Sequence, residues 1–207
     1  RPDSDKVFLL STGSEAIECC LKLCRTYGAN HHGPDKKVVV SFDNAFHGRT
    51  MGAQLAGGLP GLKAWMGPNL DQNFVQVPFP DGFKNPNTSF EFFLSSLAEQ
   101  GINPNQICGV LSESYQGGGP DFLPRDYAQQ LQAYCKKHDI LLVMDEVQSG
   151  FGRTGKMFCY EHYGIEPDLV ACGQGISSSL PLSAVIGRAD VLDLYPPGSM
   201  TSTHSAS

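Results

Sequence analysis

Two patterns of hydrophobic and polar positions alternate along the 207 residues of the chain. Short apolar runs rich in β-branched residues and bounded by polar residues predict strands. These runs lie at 7–10, 37–42, 107–114, 140–146, 168–173 and 181–188, and residues 74–81 are expected to form a short extended segment. Apolar residues at helical spacing predict helices over 14–28, 89–100 and 125–138. Ser14 is expected to cap the first helix and Gly28 to end it.

The order of these elements predicts an α/β fold. Helices separate most of the strands, and the strand interiors are apolar at successive positions rather than at alternate ones. That pattern is typical of a mostly parallel sheet covered by helices on both faces. A Gly-rich loop with room for a helical turn is expected over 47–61.

The two ends of the chain suggest a part of a larger protein. A strand begins almost at once, and the last seven residues, TSTHSAS, contain no helix to close the domain. Residues 1–207 are therefore expected to form one core that is cut at both ends.

Composition narrows the class of protein. The chain is 41% hydrophobic and 17% charged, with a net charge of -6, as is usual for a soluble α/β protein. The acidic balance argues against nucleic acid or an anionic membrane surface as a partner. No apolar run reaches transmembrane length, and no signal peptide opens the chain.

The seven cysteines indicate a reducing compartment. Their number is odd, they form no CxxC pair, and most lie in apolar runs, so buried thiols in a cytoplasmic protein are expected. Cys19, Cys20 and Cys24 have helical spacing, which suits either a metal site or buried packing. Packing is the expected outcome, and no metal site is predicted.

Three short stretches carry candidate chemistry. STGSEA (11–16) lies between a strand and a helix, where free amides could bind phosphate, although taken by itself the stretch is better explained as a simple helix cap. FDNAFHGRT (42–50) could stack an aromatic ring on a planar ligand, or be an ordinary loop. DEVQSGFGRTG (145–155) puts carboxylates at the end of a buried strand, where ligands of parallel sheets bind. A buried acid there needs a cationic partner, and a protonated ring nitrogen would serve.

Taken together, these stretches resemble a known family. STGSEA, NAFHGRTMGA, SESYQGGG, DEVQSGFGRTG and EPDLVACG occur in the order and spacing of the class III aminotransferases, over essentially the whole chain. The resemblance implies the large domain of a fold-type I enzyme that binds pyridoxal 5'-phosphate. It also implies that the small C-terminal domain, which usually carries the carboxylate-binding arginine, is absent from this chain.

The resemblance assigns roles to particular residues. Gly13 and Ser14 would bind the cofactor phosphate, and Thr203 would reach a phosphate across a dimer interface. Phe46 would stack on one face of the cofactor ring, with His47 beside it, and Val147 would pack on the opposite face. Asp145 would pair with the pyridinium nitrogen, and Gln148 would contact the ring hydroxyl. Glu113 matches an active-site glutamate of the family that is often a switch partner for a substrate-binding arginine.

Two departures near Glu113 leave substrate specificity open. Ser114 replaces the usual proline, and Gly118 replaces a frequent second glutamate.

A third departure concerns catalysis itself. The family's Schiff-base lysine follows the PDLV strand, and that position here is Gln174. An amide can neither attach the cofactor covalently nor act as the base that shuttles the substrate proton. Three origins of Gln174 stay open: a deliberate replacement, a natural homologue that lost transamination, and an error in the sequence.

The sequence thus predicts a transaminase core. The reaction implied is transfer of an amino group from an amino acid or ω-amino compound to a 2-oxo acid, in a homodimer with shared active sites. The chain as written is expected to be inactive. The alternative is a non-catalytic, cofactor-binding pseudoenzyme or regulatory module.

Overall fold

The computed structural model describes residues 5–68, 70–119 and 121–203. The strands are β1 (Asp5–Leu10), β2 (Val38–Phe42), β3 (Phe74–Val77), β4 (Ile107–Glu113), β5 (Leu141–Asp145), β6 (Leu169–Cys172) and β7 (Ser183–Arg188). The α-helices are α1 (Gly13–His32), α2 (Met51–Ala56), α3 (Pro60–Lys63), α4 (Phe90–Glu99), α5 (Arg125–His138) and α6 (Ala189–Leu192). Short 3-10 turns lie at Ala64–Met66, Pro104–Gln106, Cys159–His162 and Gln174–Ile176.

The strands form one seven-stranded sheet in the order β1-β7-β6-β5-β4-β2-β3. Strands β6, β5, β4, β2 and β3 run parallel to one another, and β7 is antiparallel to both β6 and β1. Parallel neighbours need a crossover connection, whereas β6 and β7 are joined without an α-helix between them. The prediction of a mostly parallel α/β sheet is confirmed.

Two apolar cores cover the two faces of the sheet. Along β2, Val38, Val40 and Phe42 point into one core, and Val39 points into the other. The first core is closed by α4 and α5, and the second by α1, α2 and α6. Because successive strand residues face opposite sides, the two cores together require apolar residues at most positions of the central strands.

Helix α1 differs from its predicted bounds at both ends. Thr12, not Ser14, is its N-cap, and Thr12 forms a reciprocal capping box with Glu15. Gly28 does not end the helix, which continues to His32 and stops at Gly33. A Cβ on Gly28 would lie 2.3 Å from the carbonyl oxygen of Lys36. The glycine therefore permits close packing of the chain against the helix rather than a turn.

Other boundaries shift by a few residues. The 47–61 loop contains the whole of α2 and the start of α3. Within the extended segment predicted over 74–81, strand β3 ends at Val77, because Pro78 has no N–H to donate to a neighbouring strand. Helix α6 and the 3-10 turns are only three or four residues long, which is too short for a periodic pattern of apolar residues to predict them.

All seven cysteines are buried free thiols. Cys19, Cys20 and Cys24 pack on the second core, as expected for buried packing. Over the described ranges, no helix combines the length and the apolar character needed to cross a bilayer.

Candidate active site at the carboxyl ends of β4, β5 and β6

A cavity of about 250 Å³ opens where the central strands end. The sequence segments that meet there are the start of α1, the loop before α2, and the chain just after β4, β5 and β6. The lining residues are Thr12, Gly13, Ser14, Phe46, His47, Gly48, Arg49, Glu113, Asp145, Val147, Gln148 and Gln174. Ligands of open parallel sheets bind at this edge, so the cavity is the candidate active site.

The amino terminus of α1 supplies free hydrogen-bond donors. The Glu15 carboxylate accepts from the backbone amides of Ser11 at 2.8 Å and Thr12 at 2.9 Å. The amides of Gly13 and Ser14 have no protein acceptor among the described residues. Two unpaired amides at the positive end of a 20-residue helix form a site for an anion such as phosphate.

Close packing brings the helix start to the loop after β5. A Cβ on Gly13 would lie 2.8 Å from Cγ1 of Val147, so a larger side chain would displace Val147. The Ser14 hydroxyl accepts a hydrogen bond from the Arg49 amide at 3.0 Å. This leaves the Ser14 hydroxyl hydrogen free to donate to a ligand.

Asp145 and His47 form a buried pair in the cavity wall. His47 Nδ1 donates to Asp145 Oδ2 at 2.8 Å, and the backbone amide of Val147 donates to Asp145 Oδ1 at 3.0 Å. The Asp145 side chain is only 5% exposed and the His47 side chain is fully buried. Nε2 of His47 is buried without a hydrogen-bond partner among the described residues. The carboxylate is thus oriented and still lines the cavity, where it could hold a cationic ring nitrogen.

Glu113 lies beside Asp145 because the ends of β4 and β5 pair in register. Its oxygens accept from the backbone amides of Phe46 at 3.1 Å and Gly117 at 2.9 Å. Burial raises the pKa of Glu113 to about 7, although the proximity of His47 lowers it. A carboxyl group with this pKa can exchange a proton near neutral pH.

Gln174 follows β6 and lines the same cavity. Its φ of 38° is in the left-handed region that a non-glycine residue rarely adopts. All nine lysines lie in the described part of the chain, and none of them lines the cavity. No amine is therefore available at this point of the site.

The cavity brings together all but one of the predicted site residues. Phe46, Val147 and Gln148 line it with the residues described above. Thr203 lies instead at a separate cavity beside α1, and the residues after it, 204–207, are outside the described part of the chain. The individual roles given to these residues by resemblance remain predictions.

Sequence reasoning missed several functional contacts. Thr12, Gly48 and Arg49 also line the cavity, and only the small and basic residues around Ser14 and His47 hinted at them. The pairing of His47 with Asp145 joins positions 98 residues apart, which one sequence gives no means of finding.

Behind the cavity, fully buried Glu146 joins three segments. Its carboxylate accepts from the hydroxyls of Ser114 and Ser149, and from the backbone amides of Cys159 and Tyr160. Burial raises the pKa of Glu146, while these four donors favour its charged form. The loop after β5 is thereby tied to the end of β4, and Ser114 supplies a donor that a proline could not.

Known proteins resemble this chain over almost its full length. The family Aminotransferase class-III matches residues 1–207. The chain is 37% identical over 188 residues to an acetylornithine aminotransferase of Agrobacterium fabrum, covering 90% of this chain and 43% of that protein. It is 34% identical over 217 residues to a probable 4-aminobutyrate aminotransferase of Bacillus subtilis, covering 98% of this chain and 47% of the relative.

Solved structures of transaminases also resemble this chain over almost its full length. The ω-transaminase of Pseudomonas jessenii in complex with PMP superimposes with a TM-score of 0.80 at 34% identity, over 92% of this chain and 44% of that one. An amine transaminase from an uncultivated Pseudomonas species, in a PLP-bound form, has a TM-score of 0.82 at 29% identity, over 91% of this chain and 45% of that one. The chain thus spans about half the length of the relatives it matches.

Proposed function

The chain belongs to the class-III aminotransferases, and from that premise we propose that it is the cofactor-binding core of a transaminase, which as written holds pyridoxal 5'-phosphate without a covalent bond. Enzymes of this family depend on that cofactor and have the fold-type I architecture. The reaction proposed for the complete protein is transfer of an amino group from an amino acid or ω-amino compound to a 2-oxo acid. With Gln174 in the cavity, this chain is proposed to be catalytically silent.

The residues of the cavity fit the cofactor's phosphate. The unpaired amides of Gly13 and Ser14, with the Ser14 hydroxyl, offer three donors at a helix amino terminus. This is the donor set that binds phosphate without a metal ion.

The residues of the cavity also fit a protonated aromatic ring. Asp145 would hold the ring nitrogen, Phe46 and Val147 would contact the ring, and Gln148 would contact its hydroxyl. When bound, the cofactor supplies an electron sink for the substrate's reacting carbon. The buried carboxylate of Asp145, oriented by His47, would keep the nitrogen protonated.

The proposal that the chain is inactive rests on the side-chain amide of Gln174. An amide nitrogen is neither nucleophilic nor basic near neutral pH, so it can neither attach the cofactor nor move a substrate proton. Glu113 can hold a proton, but a carboxylate cannot make the missing bond to the cofactor. The amide at position 174 also favours the second candidate function, a cofactor-binding pseudoenzyme or regulatory module.

Intact mass after incubation with pyridoxal phosphate and reduction with borohydride tests the proposal. The unaltered chain is expected to show no adduct, yet to retain cofactor on gel filtration. The variant Gln174→Lys is expected to show one phosphopyridoxyl adduct, mapped to position 174. Transaminase activity of this variant with amino acid donors would favour the enzyme over the regulatory module.

Two outcomes would reject the proposal. An adduct on a lysine of the unaltered chain would show that another residue has replaced the missing one. Failure of both folded proteins to retain cofactor would remove the cofactor-binding role itself.

The homodimer is a further proposal that rests on the family resemblance, and the cytoplasmic location is one that rests on the seven buried free thiols. Sedimentation velocity of the chain with pyridoxal phosphate tests the first of them. A monomer at micromolar concentration would contradict it.

A further inference from the structure

In the candidate active site, buried carboxyl groups outnumber permanently charged cations. Glu113 and Asp145 end β4 and β5 at paired positions, and both side chains are buried at the cavity. Among the described lining residues, Arg49 is the one permanent cation, and its exposed guanidinium lies over the Phe46 ring, 5.9 Å from the ring centre. His47 already donates to Asp145 through Nδ1. A cationic group on a ligand is therefore favoured here.

An amide oxygen adds to the acceptors at the Glu113 side of the cavity. A Cβ on Gly117 would lie 2.5 Å from Oε1 of Gln148 and 3.4 Å from Oε1 of Glu113, so the two oxygens lie close to the same point. The Gly117 amide itself donates to Glu113 Oε1 at 2.9 Å. This corner of the cavity matches a hydrogen-bond donor on a ligand better than an acceptor.

The residue before Gln174 packs against the start of α1, which fixes where position 174 lies. A Cβ on Gly173 would lie 3.4 Å from Cγ1 of Val147 and 3.7 Å from Cα of Gly13. The hydroxyl of Ser183, the first residue of β7, donates to the carbonyl of the α1 N-cap residue at 2.6 Å. Gln174 is thereby held beside both the proposed phosphate site and the proposed ring site.

The side chain at position 174 affects the aldehyde form of the cofactor, pyridoxal 5'-phosphate, and its amine form, pyridoxamine 5'-phosphate, in opposite ways. The lysine that the family resemblance implies would hold the aldehyde form covalently and would place a second ammonium group near the amine form. Gln174 removes both effects, because its amide is neutral and makes no such bond. The aldehyde is a neutral acceptor, whereas the ammonium group is a cation with three donors. The buried carboxyl groups favour the latter.

We propose that Gln174 makes the cavity selective for pyridoxamine 5'-phosphate over pyridoxal 5'-phosphate, with Glu113 and the amide oxygen of Gln148 as acceptors for the ammonium group. The selectivity rests on the proposed function, since the phosphate and the ring must bind as described above. Pyridoxal 5'-phosphate remains a weaker, non-covalent ligand of the same cavity. This preference separates the chain from relatives that carry the family's lysine.

The test titrates the 207-residue chain at pH 8, by calorimetry, with three compounds that share the phosphate and the ring. Where pyridoxamine 5'-phosphate has its ammonium group, pyridoxine 5'-phosphate has a hydroxyl group and pyridoxal 5'-phosphate an aldehyde. The pyridoxamine compound is expected to bind about tenfold or more tightly than either of the others, as for one hydrogen bond between charged groups. Equal affinities for the pyridoxamine and pyridoxine compounds, neither of which reacts with surface lysines, would overturn the selectivity.

Gln174→Lys is expected to weaken pyridoxamine 5'-phosphate by about tenfold or more, because the new ammonium group repels that of the ligand. Gln174→Met is the matched control, since methionine is unbranched and of similar length but carries no charge. The control is expected to keep the preference for the pyridoxamine compound over the pyridoxine compound. An equal loss of this preference in both variants would show that the neutral charge of Gln174 is not its cause.

Glu113→Gln tests the acceptor assigned to the ammonium group. With a pKa of about 7, Glu113 is mostly ionised at pH 8, and the substitution removes this charge. The ratio of the affinities for pyridoxamine and pyridoxine 5'-phosphate is expected to fall severalfold, roughly as for a weakened charged hydrogen bond. An unchanged ratio would overturn the assignment of Glu113. Circular dichroism establishes that each variant is folded, and the comparison in the unaltered chain needs no variant.

The two proposals fail in different ways. Binding of none of the three compounds by the folded chain would reject the proposed function, and the selectivity with it. Equal binding of all three compounds would reject the selectivity alone and leave the cofactor-binding role intact.

Discussion

At the scale of single residues, buried carboxylates dominate the chemistry of this chain. Asp145, Glu113 and Glu146 are all buried within a few residues of one sheet edge, and each is held by specific donors. Buried acids without such donors would take up protons or destabilise the fold. The contributions of two of these carboxylates, Glu113 and Glu146, can therefore be tested by substitution.

Glu113 should make stability depend on pH. Its pKa is raised by burial from 4.5 to about 7, so the folded state holds the proton more tightly than the unfolded state does. The stabilisation from the protonated group is complete below the unfolded pKa and is lost as pH rises from about 4.5 to about 7. The Glu113→Gln variant stays neutral, so its unfolding free energy relative to the unaltered chain should rise across this window. Urea unfolding at several pH values measures the difference, and a constant difference would contradict the assignment.

Ser114 should stabilise the fold through Glu146. Ser114→Ala removes one of four donors to a buried carboxylate, and the expected loss is about 1–3 kcal/mol of unfolding free energy. Ser95→Ala is the control, because Ser95 is an exposed serine on α4 whose hydroxyl donates to a carbonyl of its own helix. The control should change stability by less than about 0.5 kcal/mol. Equal effects in urea unfolding would show that the Glu146 contact contributes nothing.

At the scale of elements, the start of α1 combines a structural role with a proposed binding role. The capping box of Thr12 and Glu15 satisfies the helix's own terminal donors. It leaves the amides of Gly13 and Ser14 unpaired at the cavity. The sequence indicated this stretch as a candidate anion site but placed the cap at Ser14 rather than Thr12, because the two hydroxyl residues are separated by only one position.

Thr12→Ala should therefore destabilise the chain by about 0.5–2 kcal/mol, the usual cost of losing an N-cap side chain. Thr88→Ala is the control, since Thr88 is exposed and its hydroxyl makes no hydrogen bond within the described residues. Thermal unfolding compares the two variants. A Tm for Thr12→Ala equal to that of the control would show that the capping box is unimportant.

At the scale of the whole molecule, the sheet separates two apolar cores, and the site lies at the sheet edge between them. The first core contains a cluster of aromatic rings around Phe42, with Phe79 at 5.6 Å, Phe93 at 6.2 Å and Tyr127 at 6.3 Å. Phe42 ends β2, and the chain after it leads directly to Phe46 and His47. Packing of this core thus fixes where the cavity loop begins.

Phe42→Ala should cost about 3–5 kcal/mol of unfolding free energy, because it removes a fully buried ring and leaves a void. Phe83→Ala provides the contrast, since Phe83 is 88% exposed and should change stability by less than about 0.5 kcal/mol. Urea midpoints measure both variants. Similar midpoints would mean that the ring cluster does not organise the fold.

The sequence alone determined the strands, the longer helices and the α/β class, because apolar periodicity directly reflects which faces are buried. Arg125–His138 is the clearest case, since its predicted and observed bounds coincide. The motifs that carry the family resemblance also identified most of the residues that line the candidate site, including Gln174.

Only the tertiary structure decided how these motifs meet. The pairing of His47 with Asp145 and the four hydrogen bonds to the Glu146 carboxylate each depend on segments far apart in the chain. A hydrogen bond depends on distance and direction in space, whereas periodicity records only burial along one element. Contacts between loops therefore leave no pattern in a single sequence, although they set the chemistry of the site.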